Sequence, residues 1–388
     1  MTDNIRDKYP FSDDFTDKIR LFLTKFEESG GNRGNNTCNT GNNSNKGNTG
    51  NNGVEENIYF RDGKSVDEKL TDFLDGIAKT VEILTEKGES KEEILKNYTD
   101  CGEFLLNTSG SGFYADVQIQ KVNDEITLYC FQTPGGGSIY LFDTEGGIVM
   151  VDTGYGIYAA DAKRMFKDYG LDVSRLKFII VTHADADHCG AGGAYDVPAY
   201  MHPGTLEIIR CGNRAWGSIH ESSTLEKVYT TMIAYFSHWN PSKEKNIRLF
   251  PEDSAERIGN FPHLATVPVG NIDVNILLSD GGHQFGQLIL YSEDADLLFT
   301  ADTLMNFTSF DSSRRNYNSI ADFLVTSVNV DSELARKERK SAVALALEHE
   351  AKTGRKCLIC GGHGTISKLN SEGKLETVGS VEHYTHKA

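Results

Sequence analysis

No stretch of this 388-residue chain approaches the ~20 consecutive apolar residues that a membrane span requires. Its start, MTDNIRDKYPFSDDF, has no apolar core of the kind a secretory signal carries. Positive charge is in the minority: 39 Lys and Arg stand against 56 Asp and Glu, a net −17. A surface that negative on average repels phosphate backbones and anionic lipid, which argues against a general nucleic-acid binder and a membrane partner. Cysteine is sparse. The seven residues, at 38, 101, 130, 189, 211, 357 and 360, are an odd number spread through a long chain. That suits reduced thiols better than a disulfide framework. These absences predict a soluble, cytoplasmic protein. What remains, 38% hydrophobic and 10% aromatic residues, can fill one large domain and a smaller one.

Residues 11–28, FSDDFTDKIRLFLTKFEE, place Phe15, Ile19, Leu21, Phe22 and Phe26 at roughly helical spacing. The first segment, 1–29, is therefore predicted helical. Residues 30–53 are almost wholly Asn, Gly, Thr and Ser; with nothing to bury, the stretch 30–56 is predicted to be a disordered linker. Helical spacing returns over 57–112, with Leu70, Phe73, Leu74, Ile77, Val81 and Leu84 on one face. Gly88-Glu89-Ser90 interrupts it, and SKEEILKNY restarts with a serine cap and acids in the first turn. From 113 to 388 short apolar or alternating runs, such as ITLYCFQT, GIVMVDT, LKFIIVT and DLLFTAD, mix with helical stretches at 204–211, near 224–239 and over SELARKERKSAVALALEHEAKTG. Strand pairs mixed with helices predict a layered α/β domain, with a helical insertion over about 204–262.

The chemistry lies at the strand ends. GIVMVDTG ends in Asp152, and FIIVTHADADH delivers His183, Asp185, Asp187 and His188. SDGGH supplies His283, LLFTAD supplies Asp302 and CLICGGH supplies His363. Five apolar strands each end in a carboxylate or an imidazole. Clustered His and Asp at such ends must be desolvated together unless a cation compensates them.

Taken in order, these motifs resemble the metallo-β-lactamase superfamily, and the resemblance covers about residues 113–388. It implies an αββα sandwich with a dinuclear metal site at one edge, preceded here by the small N-terminal helical region. It also implies that Asp152 supports the site by hydrogen bonding. One metal would bind His183, Asp185 and His283, the other Asp187, His188 and His363, with Asp302 bridging both. Asp187 and Asp302 are the candidate catalytic residues. Two neighbouring divalent cations would lower the pKa of a water between them, so the expected function is a hydrolase of an ester, thioester, lactone, amide or phosphoester, with a small-molecule substrate. Asp185 departs from the common His-X-His-X-Asp-His pattern. A carboxylate there hardens the site and adds a negative charge, which shifts preference from zinc toward iron or manganese. The flavodiiron branch has His-X-Glu-X-Asp-His at this place, which makes a diiron oxidoreductase of oxygen or nitric oxide the alternative, with electrons from a separate partner. Only 25 residues follow His363, too few for that branch's flavodoxin module.

Other features are weighed against bland readings. Cys357 and Cys360 have CxxC spacing within an apolar strand, where residues three apart face opposite sides, so core packing is expected. Cys189 is likewise read as a packing residue. In the insertion, Trp216, His220, Tyr235, His238 and Trp239 fit either a substrate entrance or the core of an extra helical hairpin. Arg314 and Arg315 are placed to meet an anionic substrate, but a solvated surface pair is the preferred reading.

Overall fold

The computed structural model describes residues 11–29, 63–216 and 223–386. The Asn/Gly-rich stretch, Cys38 and His220 lie outside the described residues. Three helices come first: α1 (Asp13–Glu28), α2 (Val66–Glu86) and α3 (Lys91–Asn107). Each starts at a serine. Ser12 and Ser90 accept a backbone N–H of the first turn, and Ser65 forms a reciprocal capping box with Glu68. Acids in each first turn add favourable charge at the positive end of the helix.

The first sheet then begins: β1 (Tyr114–Lys121), β2 (Ile126–Gln132), β3 (Ser138–Thr144) and β4 (Gly147–Val151). The chain continues through α4 (Ala159–Asp168), β5 (Leu176–Ile180), the single turn α5 (Ala186–Cys189), β6 (Ala199–Met201), α6 (Pro203–Cys211), α7 (Ser223–Phe236) and β7 (Ile247–Leu249). The second sheet starts with β8 (Arg257–Ile258), β9 (Phe261–Val269), β10 (Ile272–Leu278), β11 (Leu288–Ser292) and β12 (Leu297–Ala301). After α8 (Ser312–Val325) and α9 (Ser332–Thr353) come β13 (Leu358–Gly361), β14 (Ser367–Leu369), β15 (Leu375–Thr377) and β16 (Glu382–Thr385). One sheet runs β16-β1-β2-β3-β4-β5-β6-β7 and the other β15-β14-β13-β12-β11-β10-β9-β8. The last strand thus crosses back to pair antiparallel with β1 of the first sheet.

Three apolar layers follow from this order. Leu128, Phe142, Val151, Leu290, Phe299 and Cys360 fill the space between the sheets. Outside the second sheet, Ala342, Leu345 and Ala346 of α9 pack on Leu298 and Ile359. Outside the first sheet the helices, α1 to α3 included, share one cluster with Phe131, Leu141 and Met150. The result is an αββα sandwich. Cys357 belongs to the outer cluster and Cys360 to the inter-sheet one, so the CxxC spacing serves two cores.

The N-terminal helices join the sandwich through α7 and α8. Phe22 of α1 and Phe73 of α2 meet the Phe236 ring edge-on at 4.7 and 5.8 Å, and Phe104 of α3 stacks on Tyr317 of α8 at 4.3 Å. Two details differ from the sequence expectation. The segment 204–262 holds α6 and α7 but also the short strands β7 and β8. α8 shows no clear helical signature in the sequence, because SSRRNYNS at its start is polar on every face and only Tyr317, Ile320, Leu324 and Val325 are buried apolar positions.

Candidate metal centre

Every residue singled out at a strand end reaches one edge of the sandwich. Asp152 follows β4, His183 follows β5, His283 sits between β10 and β11, Asp302 follows β12 and His363 follows β13. Two residues there adopt left-handed backbone: Asp152 at φ 59° and Ala301 at φ 42°. Such strain persists where the surroundings over-determine it. Asp152 Oδ1 accepts from Thr182 N at 2.8 Å, and its Oδ2 accepts from Thr182 Oγ1 at 2.7 Å and lies 2.9 Å from His188 Nδ1. The carboxylate is spent on hydrogen bonds, and it fixes His188 with Nε2 turned inward.

Two of the other rings are held in the same manner. His183 Nδ1 lies 3.0 Å from Thr182 Oγ1, and His283 Nδ1 lies 3.2 Å from Asn329 Oδ1. The inward nitrogens meet carboxylates: His363 Nε2 is 3.1 Å from Asp187 Oδ2 and 3.3 Å from Asp302 Oδ2, and His283 Nε2 is 3.5 Å from the same Asp302 oxygen. Two groups of donor atoms result, His183, Asp185, His283 and Asp302 in one and Asp187, His188 and His363 in the other, each within 4.8 Å. His183 Nε2 and Asp302 Oδ1 are buried and have no hydrogen-bond partner. Orphaned buried atoms of this kind are costly, and both point where cations would sit. The donor set fits a pair of metal ions.

Electrostatics follow from the crowding. Burial works against ionising Asp302, but the His363 and His188 rings overcome it and hold the carboxyl well below the usual range. Burial would strip the proton from His363, yet Asp302 and Asp187 raise it to about 9. His183 goes the other way: burial and the neighbouring His188 keep it neutral. A cation arriving here displaces protons from some of these rings and finds others already free.

Asp185 carries the main surprise. Its carboxylate accepts two hydrogen bonds from one guanidinium, Arg214 Nε to Oδ1 at 3.1 Å and Nη2 to Oδ2 at 3.0 Å. Gln284 Nε2 donates to Oδ1 at 2.7 Å, and His283 Nε2 lies 3.2 Å from Oδ2. Arg214 is itself buried, and its Nη1 meets Glu226 Oε2 at 3.1 Å. Burial opposes ionisation of Asp185, but Arg214 and His283 hold it well below the carboxylate range. The negative charge inferred from the sequence is present, with a positive partner attached. Neither Arg214 nor Gln284 stood out in the sequence. Gln284 directly follows His283, and Arg214 sits in an unremarkable Asn-Arg-Ala-Trp stretch.

Asp185, Asp187, His283, Asp302 and His363 form the floor of a cavity of about 310 Å³. Its walls mix aromatic residues, Tyr155, Tyr229, Tyr317, Phe307 and Phe310, with polar ones that include Asn318 and Asp322. The loop after Asp302 therefore approaches the centre, but the arginine pair within α8 divides. Arg314 is fully buried, donating to Thr133 O and Gln132 O at 3.1 Å and pairing with Asp311 and Asp116. It is structural, because five donors on a buried guanidinium must all be satisfied. Arg315 is exposed and lines the cavity. In the insertion, Tyr235 and Trp239 are buried in the helical layer, and Trp216 leans on Phe285 at 5.6 Å. Tyr229 is the insertion aromatic that reaches the large cavity. Cys189 is buried, and desolvation pushes its thiol well above the ordinary range, as a packing residue requires.

The profile described as the metallo-beta-lactamase superfamily matches residues 132–348, more than half of the chain, and the chain belongs to that superfamily. Its members typically bind a dinuclear metal centre, and the two donor groups above are ones that could hold metals. A search of curated proteins gives no match. Among solved structures, a metallo-β-lactamase from Pontibacter korlensis is 12% identical, with a TM-score of 0.37 over 65% of this chain and 93% of that one. AidC, described as a dizinc quorum-quenching lactonase, is 12% identical, with a TM-score of 0.45 over 69% and 98%. The HARLDQ-motif metallo-β-lactamase of Cronobacter sakazakii is 12% identical, with a TM-score of 0.34 over 63% and 73%. Among the described residues no helix is long and apolar enough to cross a membrane.

Proposed function

We propose that this chain is a metal-dependent hydrolase of a small ester, thioester, lactone, amide or phosphoester. The observation that carries the reading is the inward convergence of four imidazoles and three carboxylates on one edge, with His183 Nε2 and Asp302 Oδ1 left without hydrogen-bond partners. When bound by His183, Asp185, His283 and Asp302 and by Asp187, His188 and His363, two divalent cations supply a water of lowered pKa and a field for the developing oxyanion. The chain's own residues do the rest. Asp152, Thr182 and Asn329 fix ring orientation, so that three of the Nε2 atoms are presented without reorganisation. Asp187 and Asp302 hold carboxylate oxygens at the floor, and Tyr155, Tyr229, Tyr317, Phe307 and Phe310 give the cavity apolar surface against which a small substrate can pack. The diiron oxidoreductase reading rests on the hardness and charge of a carboxylate at Asp185 and on the likeness to His-X-Glu-X-Asp-His. Arg214, which Glu226 shares, offsets part of that charge, which favours hydrolysis.

The test is metal analysis together with turnover of a panel of chromogenic esters, thioesters, lactones and phosphodiesters. The Asp302→Ala variant is expected to lose both cations and at least about a thousandfold in turnover, since one carboxylate serves both groups. Two tightly held metals in that variant would refute the shared role. Two equivalents of iron, oxygen or nitric-oxide consumption and no hydrolysis would replace the reading by the redox one.

A further inference from the structure

We propose that Arg214 is the built-in counter-charge of the first cation position, so that the Asp185–Arg214 pair takes the place of the histidine common there. The inference rests on the hydrolase reading only in requiring that two cations bind. Its basis is an accounting of donors and charge. The five N–H groups of Arg214 are used: Nε and Nη2 on Asp185, Nη2 also on Val328 O at 2.7 Å, and Nη1 on both oxygens of Glu226, at 3.4 and 3.1 Å. The side chain is 5% exposed, so the geometry is locked by burial as well as by bonding. Asp185 Oδ1 is filled by Arg214 and Gln284. Oδ2 keeps one direction open, toward His283 Nε2 at 3.2 Å and His183 Nε2 at 3.7 Å. The carboxylate is thereby oriented to offer one oxygen to the first position.

Asp185, Asp187 and Asp302 face one guanidinium, which buried Glu226 shares, so Arg214 offsets part of the charge that Asp185 adds to a His-X-His-X-Asp-His shell. A bidentate arginine also withdraws electron density from the carboxylate it holds, weakening it as a donor. Arg214 is a positioning residue: it acts on the cation through Asp185 and through its own field. Removing either member alone should therefore have opposite effects on the first cation. Without Arg214, the bare carboxylate attracts the cation more strongly. With an imidazole at 185, the anionic donor is gone and Glu226 alone compensates the guanidinium, whose field then weakens binding of a divalent ion beside it.

The experiment titrates the full-length chelated proteins with Zn²⁺ alone against a chromophoric chelator, and repeats the titration with Co²⁺ to read the ligand-field band of each position. In wild type, two equivalents are expected. Asp185→His identifies the first position by weakening one step about tenfold or more, and Arg214→Gln tightens that same step by a similar factor. Asp185→His/Arg214→Gln returns it to within about threefold of wild type. If Arg214→Gln does not fold, Arg214→Gln/Glu226→Gln removes one buried charge of each sign and should still tighten the step, by less. A purely structural role for Arg214 predicts that both single variants weaken the step, with no recovery in the double; that result overturns the proposal. No cation bound by wild type at all would overturn the hydrolase reading itself, whereas two equivalents without opposite signs would overturn this inference alone.

Discussion

Gly362 lies between the end of β13 and His363, and its missing side chain is part of the site. A Cβ there would stand 2.0 Å from Asp302 Oδ1 and 2.8 Å from His188 Cε1. Either the Asp302 carboxylate or the backbone must move, and a displacement near 1 Å is enough to cost about a hundredfold. We expect Gly362→Ala to lose most bound metal and about a hundredfold or more in turnover, with the fold retained. Metal content, turnover and circular dichroism check this; a fully metallated, active variant would show that the floor yields more than its packing implies. At this scale the sequence was informative where chemistry and position coincide. His183, His283, Asp302 and His363 each end an apolar run, and such endings are visible in one dimension. Arg214 and Asn329 were not visible. They reach the site from 29 and 46 residues away from the side chains they serve, and nothing local distinguishes them from surface residues.

Helix α3 shows what decides whether an element can be read. Its serine cap, acidic first turn and apolar face announce a helix, but its partner cannot be deduced from them. Gly102, in the middle of α3, costs about 1 kcal/mol relative to alanine as a helix residue. A Cβ there would meet the Phe22 ring at 2.4 Å, so the glycine is what lets α1 approach α3. Gly102→Val should undock α1, making residues 11–29 sensitive to protease and lowering the thermal midpoint, while metal content stays near wild type because none of the candidate donor residues comes from α1 to α3. An unchanged cleavage pattern would mean that α1 tolerates the added volume by sliding. The missed helix α8 has the opposite character. Its burial depends on Tyr317 finding Phe104 and Tyr155, contacts across more than 160 residues that no local period encodes. The small helical region likewise read as an appendage, because its ring contacts with α7 and α8 are tertiary.

Seen as a whole, the centre lies where the two sheets meet. His183, Asp185, Asp187 and His188 come from the edge of the first, and His283, Asp302 and His363 from the second. Direct bonds already tie the sheets there: Leu288 N donates to Thr182 O at 2.8 Å, Ser138 N to Gly362 O at 2.8 Å, and Tyr140 Oη to Gly361 O at 2.6 Å. Cations that join the same edges bind the folded state alone, so each adds about 3–4 kcal/mol when present at 100–1,000 times its dissociation constant. Chelation is expected to lower the thermal midpoint by roughly 5–10 °C, and Zn²⁺ to restore it. A midpoint indifferent to chelator would mean the hydrogen bonds hold the seam without help. The cavity above this seam has a further consequence. Its floor is formed by Asp185, Asp187, His283, Asp302 and His363, while the wall residue Tyr317 has its ring backed by Phe104 of α3 and its hydroxyl donating to Tyr155 at 3.0 Å. The shape of the entrance thus depends in part on a leading helix that supplies none of the floor residues, and drift there can change which molecules enter while leaving the reacting groups as they were.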